Sequence, residues 1–194
     1  MPPENPITTD LTQLRKLLRE TIGGKLPKEA RDLKILNLAC GACDEAEALI
    51  DVGREVTGGG SVAMVGADIR IREVLEARKK FAHLPAEFLL EDATKIGVHK
   101  ELGDDFNLLF LRHQNYWHGR ELWKKIFDEG LTKLDDNGLM VITSYFDKEH
   151  RLALEALQKL GMEVVENRRN TDSRALPTQG KSVDRWVAVL RKKG

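Results

Sequence analysis

From Leu33 onward the chain alternates short apolar runs with longer stretches whose apolar residues recur every three or four positions. The short runs have the length and branched content of buried strands, and the longer ones carry the period of amphipathic helices. This rhythm predicts strands over 33–38, 62–67, 86–90, 106–111 and 138–144. Helices are expected near 44–55, 70–82, 119–134 and 148–160, with a short helical turn after Thr94. Strands that alternate with helices build a mostly parallel sheet covered on both faces. The end of the chain breaks the rhythm, because GMEVVENRR and VDRWVAVLR are both strand-like and the polar stretch between them has no room for a crossover helix. They are predicted to pair as an antiparallel hairpin, which completes a seven-stranded mixed sheet.

Ahead of this region, MPPENPITTD reads as a loose tail. Asp10 then reads as the cap of a helix reaching about Ile22, with Leu11, Leu14, Leu17 and Leu18 on one face and Gly23 and Gly24 at its end. The expected organisation is therefore residues 1–29 as a tail and packing helix, and residues 30–194 as one α/β domain. A chain of 194 residues suits one domain that buries roughly two thirds of its unfolded surface.

Charge narrows the partners. Thirty-one basic residues balance 31 acidic ones, so no bulk field draws the protein to nucleic acid or to an anionic membrane. No apolar run approaches the ~20 residues of a membrane span, and the first residues lack the pattern of a signal peptide, so the expected location is cytoplasmic. Arg168, Arg169 and Arg174 read as a solvated basic loop. The two cysteines, Cys40 and Cys43, stand in C-x-x-C spacing, which leaves a redox dithiol open, whereas zinc binding lacks a second ligand pair.

Candidate chemistry concentrates in KILNLACGACDEAEAL, where a strand passes through a turn into a helix. Such a junction presents free backbone N–H groups at the carboxyl end of a strand, the place where open α/β sheets bind ligands. Two more apolar runs end on acids, Asp68 in SVAMVGADIR and Asp92 in FLLEDATKIG, and a fourth ends in the polar and aromatic cluster RHQNYWHG. Each acid is also a reasonable cap for the helix that follows.

These residues resemble the class I S-adenosylmethionine-dependent methyltransferases, over about residues 30–194. The resemblance implies an α/β, Rossmann-like three-layer sandwich with a seven-stranded, mostly parallel sheet and a C-terminal antiparallel hairpin. The family's first motif, acidic-x-Gly-x-Gly-x-Gly, aligns with Asn37 through Cys43, so Asn37 takes the acidic position and Ala39, Gly41 and Cys43 take the glycine positions. By resemblance the cofactor S-adenosylmethionine would lie on Asn37, Ala39, Cys40, Gly41 and Ala42, with Asn37 toward its ammonium group. Asp68 would hold the ribose and Ile69 the face of the adenine; Asp92 would accept from the adenine amino group beside Ala93. Arg112 would border the cofactor, and His113 would be the base near the methyl group, with His118 second. The absence of an Asp/Asn-Pro-Pro-aromatic motif after the fourth strand points to a small-molecule acceptor.

Three other functions remain open on these residues. A dehydrogenase would also use Asp68 for a ribose, but the G-x-G-x-x-G turn is missing and Asp44, Glu45 and Glu47 would oppose a pyrophosphate at the helix start, with Asp44 a natural cap. A protein that keeps the fold and binds an adenosyl ligand or a partner without turnover is the second. A dithiol protein using Cys40 and Cys43 is the third.

Overall fold

The structure is a computed structural model that describes residues 5–26 and 32–194. The expected division at 29/30 and the first four residues of the tail lie outside the described residues. Seven strands form one sheet: β1 (Asp32–Leu38), β2 (Ser61–Asp68), β3 (Ala86–Leu90), β4 (Phe106–Arg112), β5 (Leu134–Ser144), β6 (Met162–Arg169) and β7 (Trp186–Lys192). Their order is β3-β2-β1-β4-β5-β7-β6. Neighbours among β1 to β5 pair in parallel, and β7 pairs antiparallel with both β5 and β6. The seven-stranded sheet with its terminal hairpin is the one the sequence predicts. β5 starts ahead of the expected residue 138 because Leu134 already pairs with Phe106, before a register shift sets Leu139 against Leu108.

Helices α1 (Pro6–Ile22), α2 (Ala46–Val56), α3 (Ile71–Lys80), α4 (Arg120–Leu131) and α5 (Asp147–Lys159) cover the sheet. Among the described residues, no helix is long and apolar enough to cross a membrane. Strand side chains alternate between two cores. Ile35, Leu108, Phe110, Val141 and Val187 pack with α1, α2 and α3, while Leu36, Leu109, Leu111, Ile142 and Ala188 pack with α4 and α5. Burying one such Leu or Val side chain contributes about 1.5–3 kcal/mol. The same alternation sends Asn37, Arg112 and Thr143 to the α1 and α2 side, where the candidate site forms.

α1 starts earlier than expected, and residues 6–10 are helix, not tail. Asn5 is the cap, its side chain accepting from the Ile7 N–H at 3.1 Å, and Pro6 follows with a preset φ and no N–H to leave unpaired. Asp10 is therefore inside the helix, buried, and accepts two hydrogen bonds from Arg174 at 2.8 and 2.6 Å. The expected basic loop is not one either: Arg168 and Arg169 end β6, Arg168 pairs with Glu20 at 2.6 Å, and Arg174 is held by Asp10. Asp44 likewise caps nothing. α2 is preceded by Glu45, which makes no side-chain cap bond, and Asp44 turns outward to Lys80 at 2.6 Å.

The start of α5 carries a buried carboxyl. Glu149 is 2% exposed, accepts the Tyr145 N–H at 3.2 Å, and is pushed by burial up to about 7. A folded value above the ordinary one means that the native state holds this proton longer than the unfolded chain does. The corresponding stability is present at acid pH and is lost as pH rises from about 4.5 toward 7. Glu149→Gln is expected to remove this slope, leaving the variant more stable than the parent by about 2–3 kcal/mol at pH 8 and near parity at pH 4.5, read by urea unfolding across that range.

Candidate functional site

The turn after β1 is built from backbone bonds. The Cys40 N–H donates to the Ala67 carbonyl of β2 at 3.2 Å, and the Cys43 N–H returns to the Cys40 carbonyl at 2.8 Å. Closing so tight a path requires left-handed residues. Ala39, Gly41 and Cys43 have φ of +52°, +59° and +53°, so all three motif positions keep glycine-like backbone although only one holds glycine. An L-residue in this region costs about 1–2 kcal/mol. His113 and Asp184, with φ of +57° and +47°, are the only other non-glycine residues of positive φ among those described, and they stand at the same site. Backbone strain of this kind concentrates where function needs a fixed geometry.

Asp68 ends β2 under this turn. Its Oδ2 accepts the Gly41 N–H at 2.7 Å, and its Oδ1 accepts the Arg70 N–H at 2.9 Å and Arg70 Nε at 3.0 Å. Burial pushes the Asp68 carboxyl up, but the Arg70 side chain and the two N–H donors outweigh it and hold the group below its ordinary range. It is not a helix cap, because Arg70 takes that position before α3. Asp92 does cap, accepting from Thr94 N and Oγ1 at 2.9 and 2.7 Å at the start of a 3-10 turn, Ala93–Val98. Its other oxygen remains only 3.9 Å from Lys95 Nζ.

A buried charge network lies beside the turn. Arg112 Nε and Nη2 donate to the two Asp184 oxygens at 3.0 and 2.6 Å, and Arg112 Nη1 is 3.6 Å from Glu45 Oε2. Thr143 Oγ1 donates to Asp184 Oδ1 at 2.8 Å. Burial opposes both charges, yet the pair prevails: Asp184 is held well below the ordinary carboxylate range by Arg112 and His113, and Arg112 is pushed further up. His113 stacks on Tyr145 with ring centres 3.8 Å apart. Its Nε2 accepts the Asp184 N–H at 3.1 Å and lies 2.8 Å from Asp184 Oδ1.

Two cavities meet at Ala39, Arg70, Arg112 and His113. One, of about 300 Å³, is lined by Asp68, Ile69, Asp92, Ala93, Leu122 and Trp123 among others. The other, of about 390 Å³, runs from Ala39–Glu45 past Tyr145 to Ile7, Asp10, Leu11, Arg174 and Val183. The structure thus brings Ala39, Cys40, Gly41, Ala42, Asp68, Ile69, Asp92, Ala93, Arg112 and His113 to two adjoining cavities. Asn37 lies buried beneath the turn and lines neither cavity, its Nδ2 donating to Glu45 Oε1 at 2.6 Å. His118 lies in the 3-10 turn Tyr116–His118 and also lines neither. Sequence reasoning placed Glu45 only as one of three acids at the helix start, and it missed Asp184, Tyr145 and the Asp10–Arg174 pair, which join the site only through the fold. The Cys43 thiol is pushed up by the neighbouring Cys40 and by burial, the reverse of an activated redox thiol.

No protein-family model matches this sequence, and no curated protein matches it. Solved structures do. An S-adenosylmethionine-dependent methyltransferase from Clostridium acetobutylicum superposes with a TM-score of 0.67 at 12% identity, over 98% of this chain and 94% of that one. The fold is that of the class I S-adenosylmethionine-dependent methyltransferases. The N-methyltransferase NodS from Bradyrhizobium japonicum superposes with a TM-score of 0.63 at 13% identity, over 98% and 99% of the two chains. Magnesium protoporphyrin IX methyltransferase from Synechocystis, solved with bound S-adenosylmethionine, gives 0.57 at 12% identity over 96% of this chain and 78% of that one. In all three the likeness spans nearly the whole of this chain, α1 included.

The strained turn gives a direct test. Ala39→Gly is expected to stabilise the protein by up to about 1 kcal/mol, or ~2–4 °C in Tm, because relief of the left-handed strain exceeds the added chain entropy. Gly41→Ala is expected to lower Tm by a similar amount or more, since a Cβ there meets Arg70 Nη2 at 2.9 Å and φ is +59°. Paired thermal melts of the two variants read both signs.

Proposed function

We propose that this protein binds S-adenosylmethionine across the two adjoining cavities and transfers its methyl group to a small-molecule acceptor. The observation that carries this reading is the left-handed backbone at Ala39, Gly41 and Cys43, which presents the turn to the cavity beside two strand-end acids. The adenosine end is the space around Asp68, Ile69, Asp92 and Ala93: a carboxylate for the ribose hydroxyls, a 67% exposed Ile69 side chain for one ring face, and a second carboxylate for the ring edge. The combined space falls in the range of ligand sites of this kind. The residues present fit the cofactor, which supplies a methyl group already activated on a sulfonium.

What the chain supplies is position and a proton acceptor. Arg112 and Asp184 fix the end of β4, and Asp184 with Tyr145 fixes the plane of His113, the group placed to take a proton from an acceptor held beside it. The far end of the larger cavity, between Ile7, Leu11, Val183 and Tyr145, is the space for the acceptor. Cover from α1 and the loop between β6 and β7 supports a small acceptor over a macromolecular one. The missing G-x-G-x-x-G turn and a carboxylate of Glu45 facing the cavity favour a cationic ligand over a pyrophosphate. A cytoplasmic location accords with this reading.

Thermal melting with S-adenosylhomocysteine, S-adenosylmethionine and NAD tests the assignment. Either adenosyl ligand at 100 times its dissociation constant should add ~2.7 kcal/mol, a shift of roughly 5–10 °C, with no shift from NAD. Asp68→Ala should abolish it. No shift with adenosyl ligands at millimolar concentration would falsify the proposal. Arg70 adds a finer expectation, because its guanidinium now occupies the carboxylate that the ribose would use. Arg70→Ala is expected to bind S-adenosylhomocysteine as tightly as the parent or up to about fivefold more tightly, the scale of a half-exposed ion pair, measured by calorimetry.

A further inference from the structure

The position that carries the acid in the family's first motif is Asn37, and the structure shows which group stands in its place. Asn37 is fully buried, and its amide is oriented by donating from Nδ2 to Glu45 Oε1 at 2.6 Å and to Cys43 Sγ at 3.2 Å. The left-handed Cys43 turns the chain so that Glu45, eight residues on, folds back over the end of β1. Glu45 is 4% exposed and lines the larger cavity. Its charge is only partly answered. Asp184 takes both hydrogen bonds from Arg112, leaving Glu45 Oε2 with a 3.6 Å ion contact and no hydrogen bond among the described residues. In the adjoining amide, Asn37 Oδ1 is buried with no partner among the described residues. Two carboxylates therefore share one guanidinium at this end of the cavity, and Glu45 Oε2 stands there without a hydrogen-bond donor. Buried acceptors and a surplus of negative charge favour a cationic donor.

We infer that Glu45 receives the α-ammonium group of the adenosyl ligand, so that the acid absent from the end of β1 is restored in space from the start of α2. This inference rests on the proposed function and adds a selectivity to it. The site is built for an adenosyl thioether or sulfonium carrying an intact amino-acid tail, and it discriminates against the truncated nucleoside. The neighbouring acids are engaged elsewhere, with Asp44 paired to Lys80 and Glu47 lying toward Arg15 and His83.

Calorimetry with two probes tests it, S-adenosylhomocysteine and 5′-methylthioadenosine, which has the same nucleoside and thioether but no amino-acid tail. Glu45→Gln should weaken S-adenosylhomocysteine by about 10- to 100-fold, the loss of one charge-assisted hydrogen bond, and leave methylthioadenosine within about threefold. An equal loss for both probes, or no loss for either, overturns the inference. The unaltered protein offers an independent measurement with the des-amino analogue of S-adenosylhomocysteine: binding about 10- to 100-fold weaker than the parent ligand is expected, and equal binding overturns the inference. If the unaltered protein binds none of these probes, the adenosyl-ligand reading itself falls, which is a different result from a Glu45 that proves silent.

Discussion

The Arg112 guanidinium, buried between Asp184 and Glu45, is the contact on which the site depends. It joins the end of β4 to the residues just ahead of β7 and to the turn after β1, and Thr143 of β5 fastens the same carboxylate. Removing charges from water is costly, and that cost is offset by the bonds that Asp184 accepts from Arg112 and Thr143 together, with His113 2.8 Å from the same carboxylate. Loss of one partner leaves an uncompensated buried charge, a penalty of roughly 3–5 kcal/mol. The same constraint explains why His113 is tolerated in a left-handed conformation. The strand must end so that Arg112 points into the α1 and α2 layer while His113 turns back to Asp184 and Tyr145.

Much of the fold was legible in the sequence because its cause is local. Alternating apolar runs, amphipathic stretches and a closing polar loop between two strand-like runs follow from the periods of strands and helices and from the length a crossover needs. Asp68 and Asp92 were legible for a similar reason, since each ends an apolar run. Asp92 caps a turn with one oxygen and also lines a cavity. The start of α1 was misjudged because Asp10 precedes the leucines, whereas Asn5 and Pro6 give the stronger start and leave Asp10 for Arg174.

What was illegible is tertiary in origin. Asp184 sits in a polar loop where nothing distinguishes it from its neighbours, and it becomes a partner of Arg112 only when β7 inserts between β5 and β6. Glu45 reads as an ordinary acid near a helix start, and its inward turn depends on the dihedral angle of Cys43. The motif after β1 shows the same limit from the other side. Counting glycines finds one position of three preserved, while the backbone preserves all three. The chain keeps the geometry and bears the strain, with the sheet and α2 holding the turn in place.

The clasp between Asp10 and Arg174 joins residues 164 positions apart across the wall of the larger cavity. Lys16 with Asp172 and Arg168 with Glu20, at 2.7 and 2.6 Å, tie the same helix to the same region. The wall of the chamber is therefore stitched from two distant parts of the chain, and a change in either one alters the space offered to a guest.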